Sequence, residues 1–120
     1  MKVGYVVLYV KDEKASLDFW INNVGLIVKD SKVAGDFKIN QVGFKDQDFS
    51  FELVPLKLME NNPDGLNLGI PSICFKTSDL AKLRQKLIDN KVKVTEISTH
   101  FGMENFAFSD NEGNYYAVTK

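Results

Sequence analysis

The groups in this 120-residue chain that could bind or react are few. His100 is the one histidine and Cys74 the one cysteine. Glu52 sits inside the apolar run Phe51-Glu52-Leu53-Val54, and Tyr5 opens another. A single cysteine excludes an internal disulfide and a thiolate metal cluster. A histidine can serve as a general base. A lone one beside Phe101 and Gly102 on a predicted loop is more often structural or solvated. No Ser-His-Asp or Cys-His pairing is readable. No glycine-rich run precedes a helix, so a phosphate loop is absent. Cys74 reads as a small buried hydrophobe, and Trp20 as core. Glu52 reads equally as a strand residue paired with a lysine and as a carboxylate that touches a ligand.

The elements that must position these groups come in two similar sets. Val3 to Val10 is rich in Val and Tyr and predicts a strand. Asp12 can cap the helix that follows. Leu17, Trp20, Ile21 and Val24 form one apolar stripe on it, and Asn22-Asn23 with Gly25 end it. A short strand over residues 25–29 and a hairpin of residues 37–44 and 48–56 complete the first set. Residues 57–69, with Asn61-Asn62-Pro63-Asp64-Gly65, read as a linker. In the second set, residues 72–77 predict a strand. Ser78 or Asp79 caps a helix with Leu80, Leu83 and Leu87 on one face, and Asn90 ends it. Residues 92–97 predict a strand. Residues 106–109 and 115–119 predict a hairpin around Asp110-Asn111-Glu112-Gly113-Asn114.

The two sets align on each other. Tyr5 to Asp12 and Ser72 to Asp79 share one pattern, 67 residues apart from Asp12 to Asp79. The hairpins align as well, with one extra turn residue in the second copy, which places Glu52 against Ala117. This repeat predicts two copies of a strand–helix–three-strand unit. Length predicts one domain over residues 1–120, with module 1 at about 1–60 and module 2 at about 68–120.

Composition narrows the function. Hydrophobic residues are 44% and charged residues 26%, which fits a folded domain. Fifteen basic and 16 acidic residues give a net charge of −1. With no basic run, nucleic acid is not an expected partner. No apolar stretch approaches the roughly 20 residues that span a bilayer, and nothing reads as a signal peptide. The expectation is a cytoplasmic protein.

Several segments together resemble the vicinal oxygen chelate superfamily. These are Tyr5 to Asp12, Phe19-Trp20, Asn23-Val24-Gly25-Leu26, Phe51-Glu52-Leu53 and the closing Phe108 to Tyr116. That superfamily includes glyoxalase I, extradiol dioxygenases and the fosfomycin and bleomycin resistance proteins. The resemblance implies an α+β fold of two tandem βαβββ modules whose strands form a half-open curved sheet. It implies a concave ligand site, and homodimers in which modules are shared or exchanged.

Strand alternation then sorts the side chains. Val6, Leu8 and Val10 pack under the first helix, so Tyr5, Val7 and Tyr9 face the cleft. Ile73, Phe75 and Thr77 pack on the second helix, so Ser72, Cys74 and Lys76 face it. Glu52 and Val54, with Ser50, face the cleft in the first hairpin; Tyr115, Ala117 and Thr119 do so in the second. With His100, the residues Tyr5, Val7, Tyr9, Glu52, Val54, Ser72, Cys74, Tyr115 and Ala117 make up the expected ligand site. In metal-dependent relatives four positions carry His or Glu. By resemblance these map onto Tyr5, Glu52, Ser72 and Ala117, and only Glu52 is a ligand type expected there. No cofactor and no catalytic metal are therefore expected, and no residue is assigned a catalytic role. The leading expectation is a metal-free protein that binds a small apolar or cationic molecule. A glyoxalase-type lyase or isomerase, or another enzyme of the superfamily, is the alternative. A role in protein interaction is the third.

Overall fold

The computed structural model describes all 120 residues and divides into two compact units, Met1–Ile70 and Pro71–Lys120. Each unit has the same plan of strand, helix and three strands. In the first, β1 (Val6–Val10), α1 (Glu13–Phe19), β2 (Ile27–Ala34), β3 (Phe37–Gly43) and β4 (Phe51–Pro55) follow in order. In the second, β5 (Cys74–Lys76), α2 (Leu80–Asp89), β6 (Ser98–His100), β7 (Met103–Ser109) and β8 (Tyr115–Thr119) do the same. The strand orders are β1-β4-β3-β2 and β5-β8-β7-β6, with the first pair parallel and the others antiparallel in each sheet. Two tandem βαβββ modules of an α+β fold are thus present.

Corresponding aspartates start both helices. The Asp12 carboxylate accepts from the Ala15 N–H at 3.0 Å, and that of Asp79 from the Lys82 N–H at 3.0 Å. Each satisfies a donor that the first helical turn leaves free, an effect worth about 1 kcal/mol. α1 widens into a π turn over Trp20–Val24 and stops at Gly25, whose φ of 90° suits glycine. That turn aims Trp20 into the core beside Phe51, with ring centroids 5.6 Å apart. Leu8, Val10, Val42 and Leu53 complete this layer. In the second unit Phe106, Phe108, Tyr116 and Val118 pack with Leu80 and Leu87 of α2.

The final hairpin is held by one carboxylate. Asp110 accepts from the N–H groups of Glu112 at 2.8 Å and Asn114 at 3.0 Å, and from the Tyr116 hydroxyl at 2.8 Å. Burial, reinforced by the charge of Asp110, pushes the Tyr116 phenol above its ordinary value.

The strand expected over residues 92–97 is a correction. Val94 bridges β7 at Phe108, with the Thr95 N–H donating to the Ala107 carbonyl and the Ser109 N–H to the Lys93 carbonyl, both at 2.9 Å, but this is an isolated bridge and not a strand. The Thr95 hydroxyl takes the Ala107 N–H at 2.8 Å, and Arg84 Nε donates to the Thr95 carbonyl at 2.8 Å. With side chains satisfying these backbone groups, the regular ladder begins only at Ser98. β1 is also shorter than expected, starting at Val6, and β2 is longer, reaching Ala34.

Candidate functional site: the helix-free faces of the two sheets

In the first unit, α1 packs on Leu8, Phe51 and Leu53, so the alternate residues point away from it. Register places Val7, Glu52, Gln41 and Asp30 in one row across all four strands. Tyr9 pairs with Val54, and Ile39 with Lys32, in the next row. Tyr5 precedes β1 on the same face. Tyr5, Val7, Tyr9, Glu52 and Val54, all expected from sequence, therefore share one surface.

Glu52 is its electrostatic centre. The residue is only 5% exposed. Its Oε2 accepts from Gln41 Nε2 at 3.0 Å and lies 3.4 Å from Lys32 Nζ. Gln41 Oε1 in turn accepts from the Ser50 hydroxyl at 3.4 Å, which fixes the amide. Both contacts to the carboxylate fall on Oε2. Neither contact involves Oε1. Sequence reasoning foresaw a lysine partner without naming Lys32, and it missed Gln41.

The second unit repeats the geometry with different chemistry. Cys74, Ala117 and Ala107 form the row that corresponds to Val7, Glu52 and Gln41. Ala117 thus occupies in β8 the place of Glu52 in β4, as the repeat predicts. Tyr115 pairs with Ser109 on the same face. Ser72 precedes β5, two residues ahead of Cys74, and is exposed.

Two expectations are corrected here. Cys74 is exposed, because β5 is an edge strand and its side chain points away from α2. His100 is not in a loop but ends β6, opposite Met103. The two-residue turn Phe101-Gly102 joins β6 to β7 with φ of 52° and 76°, the hairpin geometry that matches strand twist. The turn places His100 on the face of Ala117, with Nε2 at 3.1 Å from the Ser98 hydroxyl.

The metal-ligand positions of the resembled superfamily carry a phenol and a carboxylate in the first unit, Tyr5 and Glu52. In the second they carry a hydroxyl and a methyl, Ser72 and Ala117. One oxygen of Glu52 is already engaged by Gln41 and Lys32. No cluster of three or more His, Cys, Asp or Glu side chains occurs. This donor set does not fit a transition metal, which takes about three or four N, O or S ligands. A groove of about 630 Å3 along the outer side of α2, from Thr77 to Asp89, holds none of the expected site residues.

Residues 2–118 match the family profile described as the Glyoxalase/Bleomycin resistance protein/Dioxygenase superfamily. No curated protein matches the chain. Among solved structures, the chain is similar to TnmS3, an antibiotic binding protein from Streptomyces sp. CB03234. The TM-score is 0.81 at 21% identity, covering 99% of this chain and 94% of that one. It is similar to a superfamily member from Sphaerobacter thermophilus DSM 20745, with TM-score 0.74 and 20% identity over 99% and 96% of the two chains. A glyoxalase family protein from Enterococcus faecalis gives 0.76 at 13% identity, over 99% and 97%. The profile match over nearly the whole chain and the shared fold lead to one conclusion: the chain belongs to the glyoxalase/bleomycin resistance protein/dioxygenase superfamily.

Proposed function

We propose that the chain is a metal-free protein that binds a small apolar or cationic molecule on the helix-free face of its first sheet. The observation that carries this reading is Oε1 of Glu52, which neither Gln41 nor Lys32 engages. It belongs to a buried carboxylate whose other oxygen is fixed by Gln41 and Lys32. Tyr5, Val7, Tyr9 and Val54 around it supply apolar area, and a few placed polar groups in such a surface orient a ligand. A ligand N–H or ammonium at Oε1 would make a charge-assisted bond. The antibiotic-binding relative supports a small organic ligand. The donor chemistry at Tyr5, Glu52, Ser72 and Ala117 supports the absence of a catalytic metal.

The test is a thermal-shift screen of metabolites and antibiotics alongside elemental analysis of dialysed protein. Ligands of the folded state raise the melting temperature. Amines that stabilise the wild type and not Glu52→Gln are the expected result; a stoichiometric transition metal that survives dialysis overturns the reading.

Superfamily membership keeps a glyoxalase-type lyase or isomerase as the second reading. Turnover of methylglyoxal with a thiol would favour it. The functional form we propose is a cytoplasmic homodimer. Exposed Tyr5, Ile27, Val28, Val33 and Phe49 offer apolar surface for self-association, and light scattering of the purified protein reads the mass. The unpaired Cys74 suits a reducing compartment.

A further inference from the structure

The second sheet carries a polar row that the reading above does not use. Lys76, Thr119, Asn105 and Ser98 are register partners in sequence across β5, β8, β7 and β6. His100 joins the end of this row through its 3.1 Å contact with Ser98. The corresponding row of the first sheet is apolar at Tyr9, Val54 and Ile39. The middle rows are inverted in the opposite sense. Glu52 and Gln41 occupy the first sheet, and the small Cys74, Ala117 and Ala107 the second.

The row is rich in donors and free of acid. No Asp or Glu stands on this face of β5, β6, β7 or β8, since Glu104 pairs with Thr99 on the other side. Lys76 is exposed and brings three donors. Asn105 spends one amide hydrogen on the Met103 carbonyl at 3.4 Å and keeps the second. The Ser98–His100 pair keeps one hydrogen in either tautomer. If Ser98 donates to Nε2, the Nδ1–H is free; if Nε2–H donates, the Ser98 hydroxyl hydrogen is free. Thr119 gives its hydrogen to the Glu104 carbonyl and lies between these donors. Strands are about 4.8 Å apart, so Lys76 and Asn105 start about 10 Å from each other. An extended lysine side chain covers most of that distance. The donors can therefore converge on one anionic group above Thr119 and Asn105.

We propose that this face is an anion subsite. It takes the carboxylate or phosphate of a small molecule whose flat apolar part lies over Cys74, Ala117 and Ala107. The small side chains of that row leave room for a ring, and Tyr115 stands at its far edge. The inference rests on the reading that the sheet faces hold a small molecule, and it adds the class of group recognised here.

The test titrates isotope-labelled protein with benzoate, phenyl phosphate, neutral benzamide and benzylamine, followed by amide NMR shifts. Saturable shifts at Lys76, Ser98, Asn105 and Thr119 with the two anions are the expected result, with benzamide about tenfold weaker. Whichever anion binds tighter identifies the carboxylate or the phosphate as the preferred group. Lys76→Ala should weaken both by about tenfold, and Asn105→Ala should do so in part. Benzamide binding as well as benzoate, or anion affinity unchanged in Lys76→Ala, overturns the proposal. Benzylamine reports separately through Glu52 and Gln41, so failure of the first-sheet reading is seen independently.

Discussion

Lys32 reaches Glu52 across two strands because of one extra residue in β2. Ile27 and Val28 pair with Gly43 and Val42, and then the register skips Lys29, so Asp30 pairs with Gln41. Without this bulge Lys32 would fall on the face of Asn40, where α1 packs, and not on that of Glu52. Lys29 itself turns outward, and its ammonium donates to the Gln47 carbonyl. Deleting Lys29 is therefore expected to close the bulge and leave Lys32 opposite Ile39, whereas deleting Ser31 is expected to carry Lys32 opposite Asn40, off Glu52 and onto the core side. For the Ser31 deletion a stability loss of about 2 kcal/mol is expected by urea unfolding, against under about 0.5 kcal/mol for Lys29→Ala.

Two substitutions at Glu52 separate its charge from its hydrogen bond. Lys32 is 60% exposed and returns easily to water. Glu52→Gln keeps an acceptor for Gln41 and should change stability by less than about 1 kcal/mol. Glu52→Leu strands the Gln41 amide and should cost about 1–3 kcal/mol. Equal losses in the two variants would show that the Gln41 bond contributes nothing.

The link between Asp110 and Tyr116 predicts a pH dependence. The folded phenol holds its proton above its ordinary value near 10 because it is buried and faces a carboxylate. Its contribution to stability is complete below pH 10. It falls as pH rises further, because the unfolded chain releases this proton first. Above about pH 10 the wild type should lose stability more steeply with pH than Tyr116→Phe does. Parallel curves for the two proteins would contradict this. At pH 7 the same variant should cost about 1–2 kcal/mol for the lost bond to Asp110.

Phe101 holds φ of 52° with its ring fully in solvent. The left-handed region favours Asn and Gly, and no contact compensates the phenylalanine. Phe101→Asn should raise stability by about 0.5–1 kcal/mol. Phe101→Val, β-branched at the same position, should lower it. Thermal unfolding of the three proteins gives the order directly.

What was legible in the sequence follows from how local each signal is. The caps at Asp12 and Asp79, the stop at Gly25 and the strand Tyr115–Thr119 depend on neighbours within a turn, and all are where the pattern puts them. The repeat also carried long-range content, since Glu52 and Ala117 do hold matching register. His100 was hidden because Phe101 is an unusual residue for a positive-φ hairpin turn. Gln41 and Lys32 were hidden because pairing with Glu52 depends on strand order and on the bulge at Lys29. Neither leaves a mark in the local alternation of polar and apolar residues. Cys74 was misplaced because an edge strand exposes a residue that the same pattern would bury at the centre.

Gly43 gives the most direct test of how tightly the first face is built. A Cβ on Gly43 would collide with the Phe49 carbonyl oxygen and press on Lys29 Cε at 3.3 Å. The lysine end can move, but the carbonyl belongs to backbone one residue before Ser50. Gly43→Ala must therefore shift the segment leading into β4, at a cost of about 1–3 kcal/mol. Gly43 lies two residues from Gln41 on the same face, so the shift should reach the Ser50–Gln41–Glu52 chain. The expected outcome is a lower melting temperature with amide NMR shifts at Gln41, Ser50 and Glu52, and none at Phe108 or Val118. Unchanged stability would mean that the backbone around Phe49 yields freely, and that Glu52 is held less firmly than its two contacts imply.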